Sequence, residues 1–197
     1  MAAPALTPST YGVGVREPVT YLDIEHLELS ASTAETHQEA AARLLAWVEE
    51  RHPQDQATPA DLVSAAAWHL DQAGDVEGAL DLHRRAVTAE GRTTPDARCM
   101  LVAALLDAGR PDEAKQVADQ LRRTGPRIVD FAGMAEIFEL VGDLPQANRW
   151  AAMGMSRLDL IGEADPLEDV DVELLLDINR RVRDNLGFPP DGPRRDR

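Results

Sequence analysis

A repeated register of glycine and alanine in the middle of the chain restricts its fold more than any other sequence feature. Gly74, Gly109 and Gly142 follow one another at intervals of 35 and 33 residues. Each has an alanine five residues downstream and a large apolar residue four residues upstream. The alanines are Ala79, Ala114 and Ala147, and the apolar residues are Leu70, Leu105 and Phe138. A shared period at several positions predicts repeated units that stack on one another.

Each repeated unit is predicted to be a helix, a tight turn and a second helix. The glycine suits the left-handed backbone conformation that closes a first helix, and the Asp or Pro that follows it suits the start of a second. The small alanine lets the two helices approach closely, where a larger side chain would overpack the contact. Aromatic residues make up only 4% of the chain, which also favours closely packed helices over a sheet.

Two further helices flank the repeats. Apolar residues at helical spacing predict an amphipathic helix from Thr33 to about His52, which Pro53 ends. A second helix is predicted from about Asp169 to Leu186, where Gly187 stops it. Its residues Val172, Leu175, Leu176, Ile178 and Val182 are expected to cover the last repeat as a cap.

The first 30 residues lack helical periodicity. They carry several prolines and glycines, which predicts an irregular lead-in. Within it, residues 19–24 are expected either to form a short strand or to pack as a clip.

Repeats of this length and pattern resemble tetratricopeptide repeats. The resemblance covers about residues 60–91, 95–126 and 128–160, although His83, Ala118 and Ala151 stand where the family usually has an aromatic residue in the second helix. It implies an all-α fold, a right-handed α-solenoid of helix-turn-helix (TPR-like) repeats with a C-terminal capping helix. We therefore expect an irregular N-terminal tail at 1–30, a helical domain at 31–187 with its capping helix at about 169–187, and a C-terminal tail at 188–197.

Charge and composition limit the partners and the location. The chain has 35 acidic and 20 basic residues, and its net charge of −15 disfavours nucleic acid and anionic membranes. The first twelve residues do not resemble a secretory signal, because they lack its basic start and apolar run, and no apolar run reaches membrane-spanning length. The single Cys99 cannot form an intramolecular disulfide. We expect a cytoplasmic protein. Lys115 is the only lysine, and this arginine and alanine bias is typical of a GC-rich bacterial genome.

Residues that could carry chemistry are scattered. The five histidines form no pair at metal-ligand spacing and are expected at surface or half-buried positions. Cys99 has no flanking base or cation and is expected to be a small buried or groove-lining residue. The sequence therefore predicts no enzyme activity, no metal and no cofactor.

The resemblance also implies a binding surface, because the first helices of tetratricopeptide repeats line a concave face that holds peptides. When the repeats are aligned with the family, the positions that line this face are Asp61, Ser64, Trp68, Asp71, Asp96, Met100, Leu106, Asp107, Glu136 and Glu139. Such a face is acidic with apolar islands, which favours a basic or amphipathic segment of another protein or peptide. The expected function is a non-catalytic protein–protein interaction module, an adaptor or a regulatory subunit. The alternative is a self-associating structural module that forms a homodimer.

Overall fold

Nine α-helices joined by short turns account for most of residues 16–161 and 169–188, which the computed structural model describes. The helices are α1 (Tyr21–Ser30), α2 (Ala34–Glu49), α3 (Pro59–Ala73), α4 (Val76–Thr88), α5 (Ala97–Asp107), α6 (Pro111–Arg123), α7 (Ile128–Leu140), α8 (Leu144–Ile161) and α9 (Asp169–Asn185). No strand occurs within these two ranges. The prediction of an all-α helical-repeat fold is confirmed. Parts of both expected tails, 1–15 and 189–197, lie outside the described residues.

The glycine of each repeat closes the first helix, as the register predicts. Gly74, Gly109 and Gly142 have φ angles of +80°, +69° and +78°. After each glycine, the next backbone N–H donates a hydrogen bond to the carbonyl of the apolar residue at the end of the first helix. In the first repeat, Asp75 donates to Leu70 at 3.0 Å. In the next two repeats the corresponding distances are 2.8 and 2.9 Å. The predicted left-handed turn is therefore confirmed in all three repeats.

The predicted alanines lie at the helix crossings. Ala79, Ala114 and Ala147 are each 0% exposed. The pairs α3–α4, α5–α6 and α7–α8 pack as hairpins, and α4 joins two apolar clusters. Its Leu80 belongs to the cluster that continues through α9, whereas Leu82 belongs to the cluster around α2 and α3. Helix α4 therefore lies where the two clusters meet, and its Val87 packs against both.

The segment before the repeats differs from the expected irregular lead-in, because α1 begins at Tyr21. The Asp23 carboxylate accepts hydrogen bonds from the backbone N–H of Thr20 at 2.8 Å and from its hydroxyl at 2.7 Å, which caps the helix. Just upstream, the Asp55 carboxylate accepts from the Arg16 guanidinium at 2.7 Å and from the Val19 N–H at 2.8 Å. Val19 is buried, so this piece packs as a clip rather than as a strand.

Helix α9 packs on α7 and α8 and covers the end of the array. Leu175, Ile178 and Val182 are 0% exposed, as expected of a cap, but Leu176 is 39% exposed and does not share the buried face. Gly154 of α8 permits this approach. A Cβ atom at Gly154 would lie only 2.7 Å from Cδ2 of Leu175.

The helix crossing at Ala114 provides a test of the repeat register. We expect Ala114→Leu to lower the free energy of unfolding by about 1–3 kcal/mol, because the added carbons have no space between α5 and α6. Ala42→Leu, at an exposed position of α2, is the matched control and should change it little. Chemical denaturation followed by circular dichroism measures both. Equal stability of the two variants would contradict the register.

Candidate functional site

The first helices of the repeats lie side by side, because α5 contacts both α3 and α7. On each of them, residues assigned to the binding surface by register are at least partly exposed. We call the resulting surface the first-helix face. It consists of Asp61, Ser64, Trp68 and Asp71 on α3, Met100, Leu106 and Asp107 on α5, and Glu136 and Glu139 on α7. Asp96, the tenth residue assigned to this surface by register, is buried just before α5.

Two of the expected acidic residues cap helices. Asp96 accepts a hydrogen bond from the backbone N–H of Arg98 at 3.0 Å and also holds the Arg98 guanidinium at 3.0 Å. Asp61 accepts from the hydroxyl of Thr58 at 2.7 Å at the start of α3. Tyr21 of α1 reaches the same carboxylate at 3.4 Å. These carboxylates are already engaged in the fold, which leaves them less able to bind a partner's cation.

Two more acidic residues have basic partners from other helices. The Asp71 carboxylate lies 2.9 Å from Nε2 of His83, whose side chain is buried. The Glu139 carboxylate accepts from the Arg181 guanidinium of α9 at 2.8 Å. This hydrogen bond is the largest cause of the raised pKa of Arg181. The capping helix therefore neutralises one end of the first-helix face.

Asp107 and Glu136 remain without an ion pair among the described residues, and Asp107 is exposed. The apolar part of the face is formed by Trp68, Met100 and Leu106, all partly exposed. The face that the structure presents is consequently less acidic than the sequence suggests. Its apolar side chains lie on α3 and α5. Its exposed carboxylate without an ion pair among the described residues is Asp107 of α5, because Glu136 of α7 also interacts electrostatically with Arg181.

A buried histidine pair lies behind Trp68, at the seam between α2 and α3. Nδ1 of His37 is 2.8 Å from Nδ1 of His69, and the Trp68 ring contacts both imidazoles edge-on, with ring centroids 5.6 and 4.9 Å apart. Burial, together with the neighbouring His37, lowers the pKa of His69 to about 4. His37, His69 and His83 are all buried, so the expectation of surface or half-buried histidines is wrong for these three. Alanine-rich helix faces leave room for an imidazole in the core, which periodicity alone does not indicate.

Cys99 is fully buried on α5, with its sulfur 3.9 Å from the carbonyl oxygen of Asp130. Burial and the nearby carboxylates raise the pKa of this thiol. A thiol that stays protonated is a poor nucleophile. Among the described residues, no three His, Cys, Asp or Glu side chains converge as a metal site would require.

Residues 70–129 match the family model of the tetratricopeptide repeat, so this stretch carries tetratricopeptide repeats. It runs from the end of α3 to the start of α7. No curated protein and no solved structure shows a significant match to the chain. Tetratricopeptide repeats generally mediate protein–protein interactions and are typically non-catalytic. Within the described part of the chain, no helix has the length and apolarity needed to cross a membrane.

The histidine seam behind Trp68 predicts a specific pH dependence. The unfolded chain protonates His69 near its ordinary pKa of 6.5, whereas the folded protein resists protonation down to about pH 4. The free energy of unfolding should therefore fall by roughly 1–3 kcal/mol as the pH decreases across this window. Asp55, whose pKa is lowered chiefly by its hydrogen bond to Arg16, contributes only below its ordinary value of 3.8.

Urea denaturation at a series of pH values measures this dependence. His69→Asn should flatten it, whereas the same substitution at the exposed His26 should leave it unchanged. A wild-type free energy of unfolding that stays constant between pH 6.5 and 4 would contradict the lowered pKa of the buried His69.

Proposed function

We propose that this chain is a non-catalytic adaptor or regulatory subunit that binds a basic, amphipathic segment of another protein on its first-helix face. The proposal rests on two features of the tetratricopeptide repeats: the partly exposed Trp68 and Met100, and the carboxylates of Asp107 and Glu136, which make no ion pair with any described residue. An apolar anchor flanked by negative charge favours a segment with apolar residues and Lys or Arg. We place this activity in the cytoplasm, which the single, buried Cys99 supports.

The charges and the aromatic side chain should contribute differently to binding. Asp107 is exposed, so it acts mainly on the association rate, and salt screens its effect. Trp68 is partly buried against His37 and His69, so its ring is held in place before a partner arrives. A pre-positioned aromatic anchor mainly slows dissociation.

A fluorescent amphipathic peptide built from Lys and Leu provides a defined probe, read by anisotropy at several salt concentrations. We expect Asp107→Lys to weaken binding several-fold and to reduce its salt dependence. Asp112→Lys, an equal charge change at an exposed position of α6, is the matched control and should have little effect. Trp68→Ala should speed dissociation by an amount worth roughly 1–3 kcal/mol.

Binding that is indifferent to Asp107→Lys and Trp68→Ala would contradict the assignment of the first-helix face. The unfolding midpoint of each variant, measured alongside, separates a lost contact from a lost fold. A stable dimer in sedimentation whose formation depends on Trp68 and Met100 would instead favour the self-associating alternative.

A further inference from the structure

A second surface, unlike the first-helix face, lies between α6 and α8. These are the second helices of two successive repeats, and the gap between them holds two adjoining hollows of about 130 and 490 Å³. The hollows share Arg122, Arg149 and Met153 as lining residues. We call this surface the α6–α8 groove. The small Ala118, where the family usually has an aromatic residue, helps to open its floor.

The groove concentrates positive charge on an acidic protein. Its lining side chains include Lys115, Arg122, Arg149 and Arg157 but only one carboxylate, Asp119, which pairs with Arg122 at 3.1 Å. The other three cations have no ion pair with any described residue. The chain as a whole has 35 acidic and 20 basic residues, so four cations to one acid reverses the general balance.

The same groove has an apolar component. Leu160, at its far end, is 80% exposed, and Met153 is partly exposed on the same side of α8. Arg149, Met153, Arg157 and Leu160 follow one another at helical spacing, which makes a stripe about 16 Å long. A single exposed leucine is common on protein surfaces, but Leu160 continues a stripe with Met153 beside cations that make no ion pair with any described residue. A partner with both apolar and acidic side chains would match this stripe.

We propose that the α6–α8 groove binds an acidic, amphipathic helix of a partner protein. Leucine-type side chains of that helix would cover Leu160 and Met153, and its Asp or Glu residues would face Lys115, Arg149 and Arg157. About three turns of helix span the stripe. Nucleic acid fits this surface less well, because the aromatic rings beneath it are buried and offer no face for base stacking.

The charged residues of the groove lie on α6 and α8, whereas those of the first-helix face lie on α3, α5 and α7, and the two sets have opposite charge. A chain with both surfaces can hold a basic segment on one and an acidic segment on the other. This would allow it to join two partners rather than to sequester one. The two surfaces can be tested independently, since no residue belongs to both.

The test uses the full-length protein and a fluorescent amphipathic peptide built from Glu and Leu. We expect Arg149→Glu combined with Arg157→Glu to weaken its binding about tenfold or more, because two attractions become repulsions. Arg85→Glu combined with Arg92→Glu makes the same charge change at two exposed cations that have no ion pair in the described part of the chain, and it should have little effect. Leu160→Ser should weaken binding several-fold, whereas Leu140→Ser, at an equally exposed leucine of α7, should not.

Further measurements distinguish an acidic helix from other possible occupants of the groove. A single-stranded oligonucleotide that binds more tightly than the peptide, and loses binding in the Arg149 and Arg157 variant, would overturn the proposal in favour of nucleic acid. Self-association that disappears in that variant without any peptide would overturn it in favour of a second copy. Equal peptide binding by wild type and both double variants would remove the groove as a site. None of these results changes the outcome of the separate test in which the Lys and Leu peptide binds to the first-helix face.

Discussion

Each helical hairpin of this chain can bury its apolar side only against a neighbouring hairpin, and the rest of the structure depends on this constraint. Helix α6 illustrates it, because its buried residues are only Ala114, Ala118 and Leu121. Two are alanines, which contribute little apolar area of their own. The stability of α6 must come from the cluster that it shares with α5, α7 and α8. Both candidate binding surfaces are products of the same stacking, because each combines side chains from successive repeats.

A buried carboxylate fixes how the second and third repeats meet. Asp130 is 0% exposed and accepts hydrogen bonds from the backbone N–H groups of Asp96 at 2.7 Å and Arg127 at 2.8 Å. The Arg127 guanidinium lies 3.2 Å from the same carboxylate and donates to the carbonyl of Thr93 at 2.7 Å. A buried charge is tolerated only when it is paired in this way, so the junction specifies one arrangement of the two repeats.

The sequence predicted the features that depend on local backbone and spacing. A left-handed glycine and a small residue at a helix crossing recur with the repeat period, so Gly109 and Ala114 were identifiable in advance. Pairings between distant elements were not, because periodicity contains no information about them. The hydrogen bonds between Glu139 and Arg181 and between Asp71 and His83 are of this kind. The sequence therefore does not indicate that these two carboxylates of the first-helix face already have partners. Helix α1 buries only Ile24, so its sequence lacks the helical spacing of apolar residues that would have predicted it.

Stacking through the Asp130 junction should make the second and third repeats unfold as one cooperative body. Hydrogen–deuterium exchange of the wild type and of Asp130→Ala tests it most directly. Loss of this carboxylate leaves buried donors unpaired, which costs about 1–3 kcal/mol for each group. We expect faster exchange across both α5–α6 and α7–α8 in the variant, with α2 and α3 much less affected. Faster exchange confined to the first turn of α7 would contradict it.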